Sequence, residues 1–222
     1  MDFSPLWISL KISVLSTILT FVLGILAAWG IGRTQKVKNI LDSLLSLPLV
    51  LPPTVTGFFL LMLFSRYSHF GSLLAELGLH FLFTWQGGVI AAVVISFPVM
   101  YRTTRGAFEQ IDRTILDAAR TLGMSEFDIF RKLMIPNSLP GVAAATMLSF
   151  ARSLGEFGAT IMVAGNIPGK TQTMAVAVYT AMQGGNKILA FKWVSVIFAL
   201  SLLILLLMNF LTEKHSLRRQ KR

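Results

Sequence analysis

Apolar residues in this chain run in long blocks instead of alternating or recurring on one helical face. A bilayer core is crossed by about 20 consecutive apolar residues in helical form. Five blocks reach or approach that length, at about 7–31, 44–64, 87–101, 139–164 and 191–211. The pattern predicts an all-α membrane protein: one polytopic helical bundle of about five transmembrane helices, filling a single domain over 1–222. The second block carries Pro48, Pro52 and Pro53 and is expected to bend. A sixth apolar stretch, 171–183, is too short to cross and is closed by Gly184 and Gly185, so it reads as a surface or re-entrant helix. Between blocks two and three, Gly71 and Gly78 flank residues 72–77, either a short outer helix or a mere connector.

The long polar interval, 102–137, separates the third block from the fourth. Helix formers with a mixed charged face occupy 107–121. Gly123 stands where a helix ends in a left-handed turn. Ser125 then has the chemistry of an N-cap, with Asp128 three residues on as an imperfect capping box. A second helix is expected over 126–134, stopped by Pro136. The product is a helical hairpin bent at Leu122, Gly123 and Met124. Six basic residues face five acidic ones here, a net charge of +1, which suits a protein partner better than a lipid surface. A hairpin packed on the chain's own surface is the other reading.

Composition narrows the class. With 54% hydrophobic and 14% charged residues and a mean hydropathy of +0.69, the chain is too apolar for a soluble domain of 222 residues. The formal charge of +10 is then better explained by lysine and arginine flanking membrane spans than by nucleic acid. Fourteen of the twenty basic residues fall on one side of a five-span topology. They are Arg33, Lys36 and Lys38, six between Arg102 and Lys132, and five in a basic tail at 212–222. This puts the N-terminus outside and the C-terminus in the cytoplasm, and it favours five spans over six. The start, Met1 to Pro5, lacks a cationic segment and is not read as a cleaved signal. Cysteine is absent, and His69, His80 and His215 lie far apart, so neither a metal site nor a cofactor is expected.

Inside the fourth block, Arg152 and Glu156 place two charges in the membrane, each costing about 2.5–3.5 kcal/mol at a helix centre on insertion scales. Four residues apart, they fall on one helical face and neutralise each other. Two readings stand: a packing pair, or an anion path in which Arg152 supplies positive potential and Glu156 holds it. Ser153 and Thr160 offer hydrogen-bond donors to an oxyanion, and Gly155 and Gly158 allow close helix contact. Pro52, Pro53 and Thr54 mark a bend or gate lining the same path, or a simple packing kink. The segment Gly165 to Thr171 ends in Gly-Lys-Thr like a phosphate-binding loop. It has Ala164 where the first glycine belongs, and no strand precedes it.

The stretch Asp117-Ala118-Ala119, three residues, Gly123, nine residues, then Leu133-Met134-Ile135-Pro136 resembles the EAA loop of ABC-importer permeases. That loop reads Glu-Ala-Ala, three residues, Gly, nine residues, Ile-x-Leu-Pro. Asp117 replaces the Glu, Leu133 the Ile and Ile135 the Leu, while Ala118, Ala119, Gly123 and Pro136 match. With Pro48 to Pro53, Phe150 to Thr160 and Asn166 to Gly169, the resemblance covers nearly the whole chain and is to the permeases of molybdate importers. It implies a type I ABC-importer permease (MetI-like) fold and a homodimer in a bacterial cytoplasmic membrane. Two copies of a separate ATPase subunit would grip Asp117, Ala118, Ala119, Leu122, Gly123, Met124 and Pro136, and a periplasmic or extracellular substrate-binding protein would dock above. The chain itself would be no enzyme. The related sulfate and thiosulfate permeases remain an alternative, since no residue chemistry here separates one tetrahedral dianion from another. An ATP-independent anion transporter or channel is a rival from another class, told apart by whether an ATPase co-purifies. A membrane enzyme would need a clustered catalytic set, which the scattered histidines and carboxylates do not supply.

Overall fold

The computed structural model describes residues 2–32 and 38–220, with side chains to Leu207, and its described residues form helices joined by turns, without strands. Arg33, Lys36, Lys221 and Arg222 of the charge argument lie outside the described residues. In chain order the helices are α1 (Ser4–Gly32), α2 (Lys38–Val50), α3 (Pro53–Phe64), α4 (His69–Glu76), α5 (Trp85–Glu109), α6 (Arg113–Thr121), α7 (Glu126–Ile129), a π turn (Phe130–Met134), α8 (Ile135–Leu154), α9 (Gly158–Val163), α10 (Met174–Gln183) and α11 (Lys187–Gln220).

Four helical stretches are long and apolar enough to span a membrane: Ser4–Ile31, Trp85–Glu109, Glu126–Leu154 and Lys187–Leu207. The pair α2 and α3, which meet at 110°, makes a fifth when counted as one broken span. This bend is the one expected of block two. Pro52 and Pro53 lack N–H donors, and Pro52 leaves the helical path with φ −54° and ψ 136° before Pro53 restarts it. The isolated stretch at 171–183 becomes α10, ten residues and roughly 15 Å long, too short to cross alone.

α5 forms the centre. It packs most extensively against α1 and α8, and α3 packs on α9. Ala91, Ala92, Ile95, Met100 and Tyr101 on α5 are essentially sealed from solvent. Side chains on α1 that face away from α5, such as Ile18, Val22 and Leu26, are exposed apolar groups of the kind lipid covers.

Several expected boundaries are corrected. The third span does not end at residue 101 but runs to Glu109, so Arg102 and Arg105 belong to a helix and not to the polar loop. The expected helix over 107–121 is two helices, because the chain turns at Gln110 and Ile111 and Asp112 caps a new start. The fourth span is not continuous over 139–164: it breaks at Gly155 to Phe157 and resumes as α9. Pro136 does not stop the second hairpin helix, which continues through the π turn into α8. The short outer helix begins at His69, two residues before Gly71. Gly71 is buried inside it, where a Cβ would collide with the Ser65 carbonyl.

Candidate functional site

The polar hairpin is built by caps. Asp112 Oδ1 accepts the Thr114 N–H at 2.9 Å, and that bond holds its carboxyl below the usual carboxylate range. α6 ends at Thr121 in a Schellman turn. Gly123 N–H donates to the Arg120 carbonyl at 2.9 Å and Met124 N–H to the Ala119 carbonyl at 3.1 Å. Gly123 has φ +78°, the left-handed conformation that turn requires. Ser125 Oγ accepts the Asp128 N–H at 3.1 Å and donates to Asp128 Oδ2 at 2.8 Å. Arg120 staples the two arms, its Nη1 2.6 Å from Asp117 Oδ1 and its Nε 2.7 Å from Glu126 Oε1.

The tip presents apolar side chains to solvent: Leu122 is 83% exposed, with Ile115 and Phe127 also exposed. Asp117, Ala118 and Gly123 are exposed with it, and Met124 is half-buried. Ala119 is the exception. At 5% exposure it packs on its own chain, so it seats the hairpin and does not reach outward. Pro136 is exposed but sits on the first turn of α8, away from the tip. At its base the hairpin is anchored by Phe130, whose ring lies 4.7 Å from that of Trp29 and 6.2 Å from that of Phe108.

From this anchor the backbone stays helical to Leu154. The π turn is what lets it pass Pro136. Ile135 N–H donates to the Phe130 carbonyl, five residues back, which shifts the ladder where the proline has no donor. Two side chains serve neighbouring carbonyls: Asn137 Nδ2 donates to Leu133 O and Ser138 Oγ to Met134 O, each at 2.7 Å.

The helix then ends at the intramembrane pair. Glu156 lies past the last turn of α8, in the break, and its side chain is 1% exposed. Its Oε2 accepts from Arg152 Nη1 at 2.8 Å and its Oε1 accepts the Ala159 N–H at 2.8 Å. One carboxylate therefore neutralises the cation of α8 and caps the first turn of α9. Arg152 is 33% exposed and has further N–H donors beyond the one given to Glu156.

The breaks in the two interrupted spans meet here. A Cβ on Gly158 would stand 3.0 Å from both Pro53 Cβ and the Thr54 nitrogen, and one on Gly57 would stand 2.7 Å from Ala159 Cα. Pro52, Pro53, Thr54, Arg152, Ser153, Glu156 and Thr160 thus cluster around one junction. Pro52 and Thr54 are exposed there, whereas Ser153, Glu156 and Thr160 are buried. Ser153, expected as an oxyanion donor, has its Oγ in a 2.5 Å hydrogen bond with Ser16 Oγ on α1.

Ser16 belongs to a set of residues missed in the sequence. Ser9, Ser13, Ser16, Thr17 and Thr20 are all buried on one face of α1. Their spacing of four, three, one and three residues is legible as a helical stripe, but the block's high hydropathy hides it. Ser9 Oγ accepts the Met174 N–H at 2.8 Å and so fixes the start of α10. A second missed set clamps α2 to α5. Asp42 Oδ1 accepts from Tyr101 OH at 2.8 Å and lies 2.6 Å from Arg105 Nη1, while Arg102 Nε donates to Ser46 Oγ at 2.7 Å. Nothing local marks Asp42 as a partner of Tyr101 and Arg105, which lie far along the chain.

Comparisons with known proteins agree with this architecture. Residues 20–215 match the family described as binding-protein-dependent transport system inner membrane component. The chain is 42% identical over 215 residues to the molybdenum transport system permease protein ModB of Escherichia coli (strain K12), covering 96% of this chain and 94% of that protein. It is 40% identical over 205 residues to the putative molybdenum transport system permease protein YvgM of Bacillus subtilis (strain 168), covering 91% and 90%. Against the sulfate transport system permease protein CysT of Salmonella typhimurium the identity is 35% over 212 residues, covering 95% of this chain and 76% of that protein. Among solved structures, a bacterial ABC transporter that imports the acidic polysaccharide alginate has a chain matching with a TM-score of 0.80 at 15% identity, covering 96% of this chain and 79% of that one. The alginate transporter in complex with a pentasaccharide-bound periplasmic protein matches with a TM-score of 0.77 at 15% identity, covering 96% and 78%. At that identity the likeness is one of fold.

Proposed function

The chain belongs to the family of binding-protein-dependent transport system inner membrane components, and from that premise we propose that it is the transmembrane permease subunit of an ATP-driven importer of molybdate. Identity is higher to permeases named for molybdenum than to those named for sulfate, which supports the substrate. Tungstate, a dianion of the same shape, is expected to share the route. ATP is hydrolysed by a separate partner subunit that grips the hairpin tip at Asp117, Ala118, Leu122, Gly123 and Met124. The working unit is a homodimer with two ATPase copies, and a substrate-binding protein docks on the opposite face. The N-terminus lies outside and the C-terminus in the cytoplasm, as the lysine and arginine distribution favours.

One observation carries the mechanism. The segment Glu126–Leu154 is a single helical rod with the hairpin at one end and the Arg152–Glu156 junction at the other. When ATP draws the two ATPase subunits together, the hairpins follow. Each rod then moves its end of the junction where α3, α8 and α9 meet. Hydrolysis reverses the movement. Each state is favoured only as far as its contacts differ from those of the other. Within the membrane, Arg152 supplies positive potential and N–H donors to the passing anion, and Glu156 holds it in place.

The test is reconstitution of this chain in liposomes with its ATPase and binding-protein partners. ATP-dependent uptake of molybdate and tungstate, above that of sulfate, is the expected result. Uptake that persists without the ATPase would overturn the coupled mechanism, and a preference for sulfate would overturn the substrate.

A further inference from the structure

At the end of the bundle away from the hairpin, the start of α1, the start of α5 and the loop before α10 enclose a groove of about 530 Å³. Lys11 lies in it with its Nζ 3.4 Å from the centroid of the Trp85 ring. Lys170 and Trp7 line it as well. No aspartate or glutamate lines it, and among the described residues neither lysine has a carboxylate partner.

Lys170 comes from the Gly-Lys-Thr segment that imitates a nucleotide loop. The backbone there is closed on itself. The Ile167 carbonyl accepts the N–H groups of Lys170, Thr171 and Gln172 at 3.1, 2.9 and 3.2 Å, and Thr171 Oγ1 accepts the Ile167 N–H at 3.0 Å. Those amides are spent and form no phosphate cradle. The lysine side chain is left as the segment's remaining cation.

The groove shares its face of α1 with apolar side chains that the chain itself leaves uncovered. On α1, Trp7, Lys11, Val14, Ile18 and Val22 recur at helical spacing, and the four apolar members are all exposed, Trp7 at 71%. The hydroxyl stripe that faces the interior is the opposite face of the same helix. Two cations without a carboxylate partner and two tryptophans at the rim of an apolar belt match the chemistry of a phospholipid headgroup region. We propose that this groove binds the headgroup of an anionic phospholipid, the phosphate held between Lys11 and Lys170 and the glycerol region lying on Trp7 and Trp85. The assignment rests on the membrane reading above but not on which way the chain is inserted.

Native mass spectrometry on the full chain with its ATPase partner tests it. The delipidated complex is offered phosphatidylglycerol and phosphatidylcholine in equal amounts. Wild type is expected to retain phosphatidylglycerol preferentially, and retention is expected to fall roughly fivefold for each lysine removed in Lys11→Gln and Lys170→Gln. Lys187→Gln, a lysine outside the groove, is expected to leave retention unchanged. Because Lys170 is on an exposed loop, its single variant reads the site even if Lys11→Gln disturbs folding. Equal retention of both lipids, unchanged retention in both lysine variants, displacement of the lipid by inorganic phosphate at matching concentration, or crosslinks placing a second copy of the chain over Trp7 would each overturn the proposal. The readout involves no turnover, so its failure is distinct from a failure of transport.

Discussion

The rod from Glu126 to Leu154 has an irregular backbone at each end, and the two irregularities act in opposite ways. At the hairpin end, the π turn changes the hydrogen-bond ladder and keeps the helix going past Pro136. Phe130 is locked there between Trp29 and Phe108. At the membrane end, Gly155 to Phe157 stop the helix outright, and the connection to α9 is made by the Glu156 side chain instead of the backbone ladder. The lesson is that a missing backbone donor need not make a hinge. Where aromatic packing and side-chain donors surround the irregularity, the helix continues through it. Where a glycine ends the ladder and one carboxylate bridges the gap, the chain can change direction.

The comparison is broken most strongly at the tip proposed to drive the rod. Gly123→Trp forces a bulky side chain into a left-handed turn next to Leu122, at a position open to solvent. Uptake in liposomes is expected to be abolished and stimulation of the partner's ATPase lost, while membrane insertion stays intact and the unfolding midpoint falls only by the strain of a left-handed side chain, about 1–2 kcal/mol. Normal uptake by this variant would remove the tip from the coupling path.

At the other end, Arg152→Ala leaves the buried Glu156 carboxylate without its cation. Loss of one partner from a buried pair costs about 3–5 kcal/mol, and the partial exposure of Arg152 places the expected loss near the lower limit. The unfolding midpoint in detergent should drop and uptake should fall with it. Glu156→Gln is milder, since an amide oxygen still accepts the Ala159 N–H. It should keep most of the stability while changing uptake, which separates the capping role from the charge. Equal losses in the two variants would mean that the ion pair, which both remove, sets the whole cost, and that the carboxylate left buried in Arg152→Ala adds nothing.

Gly158→Ala tests whether the breaks are truly in contact. Its Cβ would press on Pro53 and the Thr54 nitrogen at 3.0 Å, and overpacking of this kind costs about 1–3 kcal/mol. The expected outcome is a modest loss of stability with a larger loss of uptake. A variant that is as active as wild type would show that α3 and α9 part during the cycle without needing this contact. Pro136→Ala, at the continuous end, is expected to change neither.

How far the sequence announces this arrangement depends on the range of the interaction that makes it. The spans come from hydropathy, and the bend at Pro52 and Pro53, the Schellman turn at Gly123 and the Ser125 cap come from local backbone chemistry, so all were legible. The fate of Pro136 was not, because the π turn depends on Phe130 meeting Trp29 and Phe108, which are distant in sequence. The break at Gly155 was missed for the opposite reason. The block around it is apolar enough to pass as a span despite its charged pair, and only the bond to the Ala159 N–H reveals that Glu156 ends one helix and begins another. The motif of the hairpin groups Ala119 with the tip, and its burial is a tertiary fact the motif does not carry.

The smallest expected effect concerns the tie between α1 and the rod. Ser16 and Ser153 share a short hydrogen bond close to the junction, both are buried, and among the described residues no other bond in the hydroxyl stripe of α1 reaches α8. A neutral pair of this kind contributes about 1 kcal/mol net. Ser16→Ala removes one partner and leaves Ser153 buried without it, so the single variants should each lose about that amount, while the double variant Ser16→Ala with Ser153→Ala should lose less than their sum. Ser13, whose hydroxyl returns to the Ser9 carbonyl one turn back, provides the contrast: Ser13→Ala should be near neutral and additive with Ser153→Ala. If α1 is fixed while the rod moves, Ser16→Ala should also change the rate of uptake without changing which oxyanion is preferred. Additive losses for the Ser16 and Ser153 pair would mean that the two helices are held together by packing alone, and that the hydroxyl stripe exists for the interior of α1 and not for its neighbour.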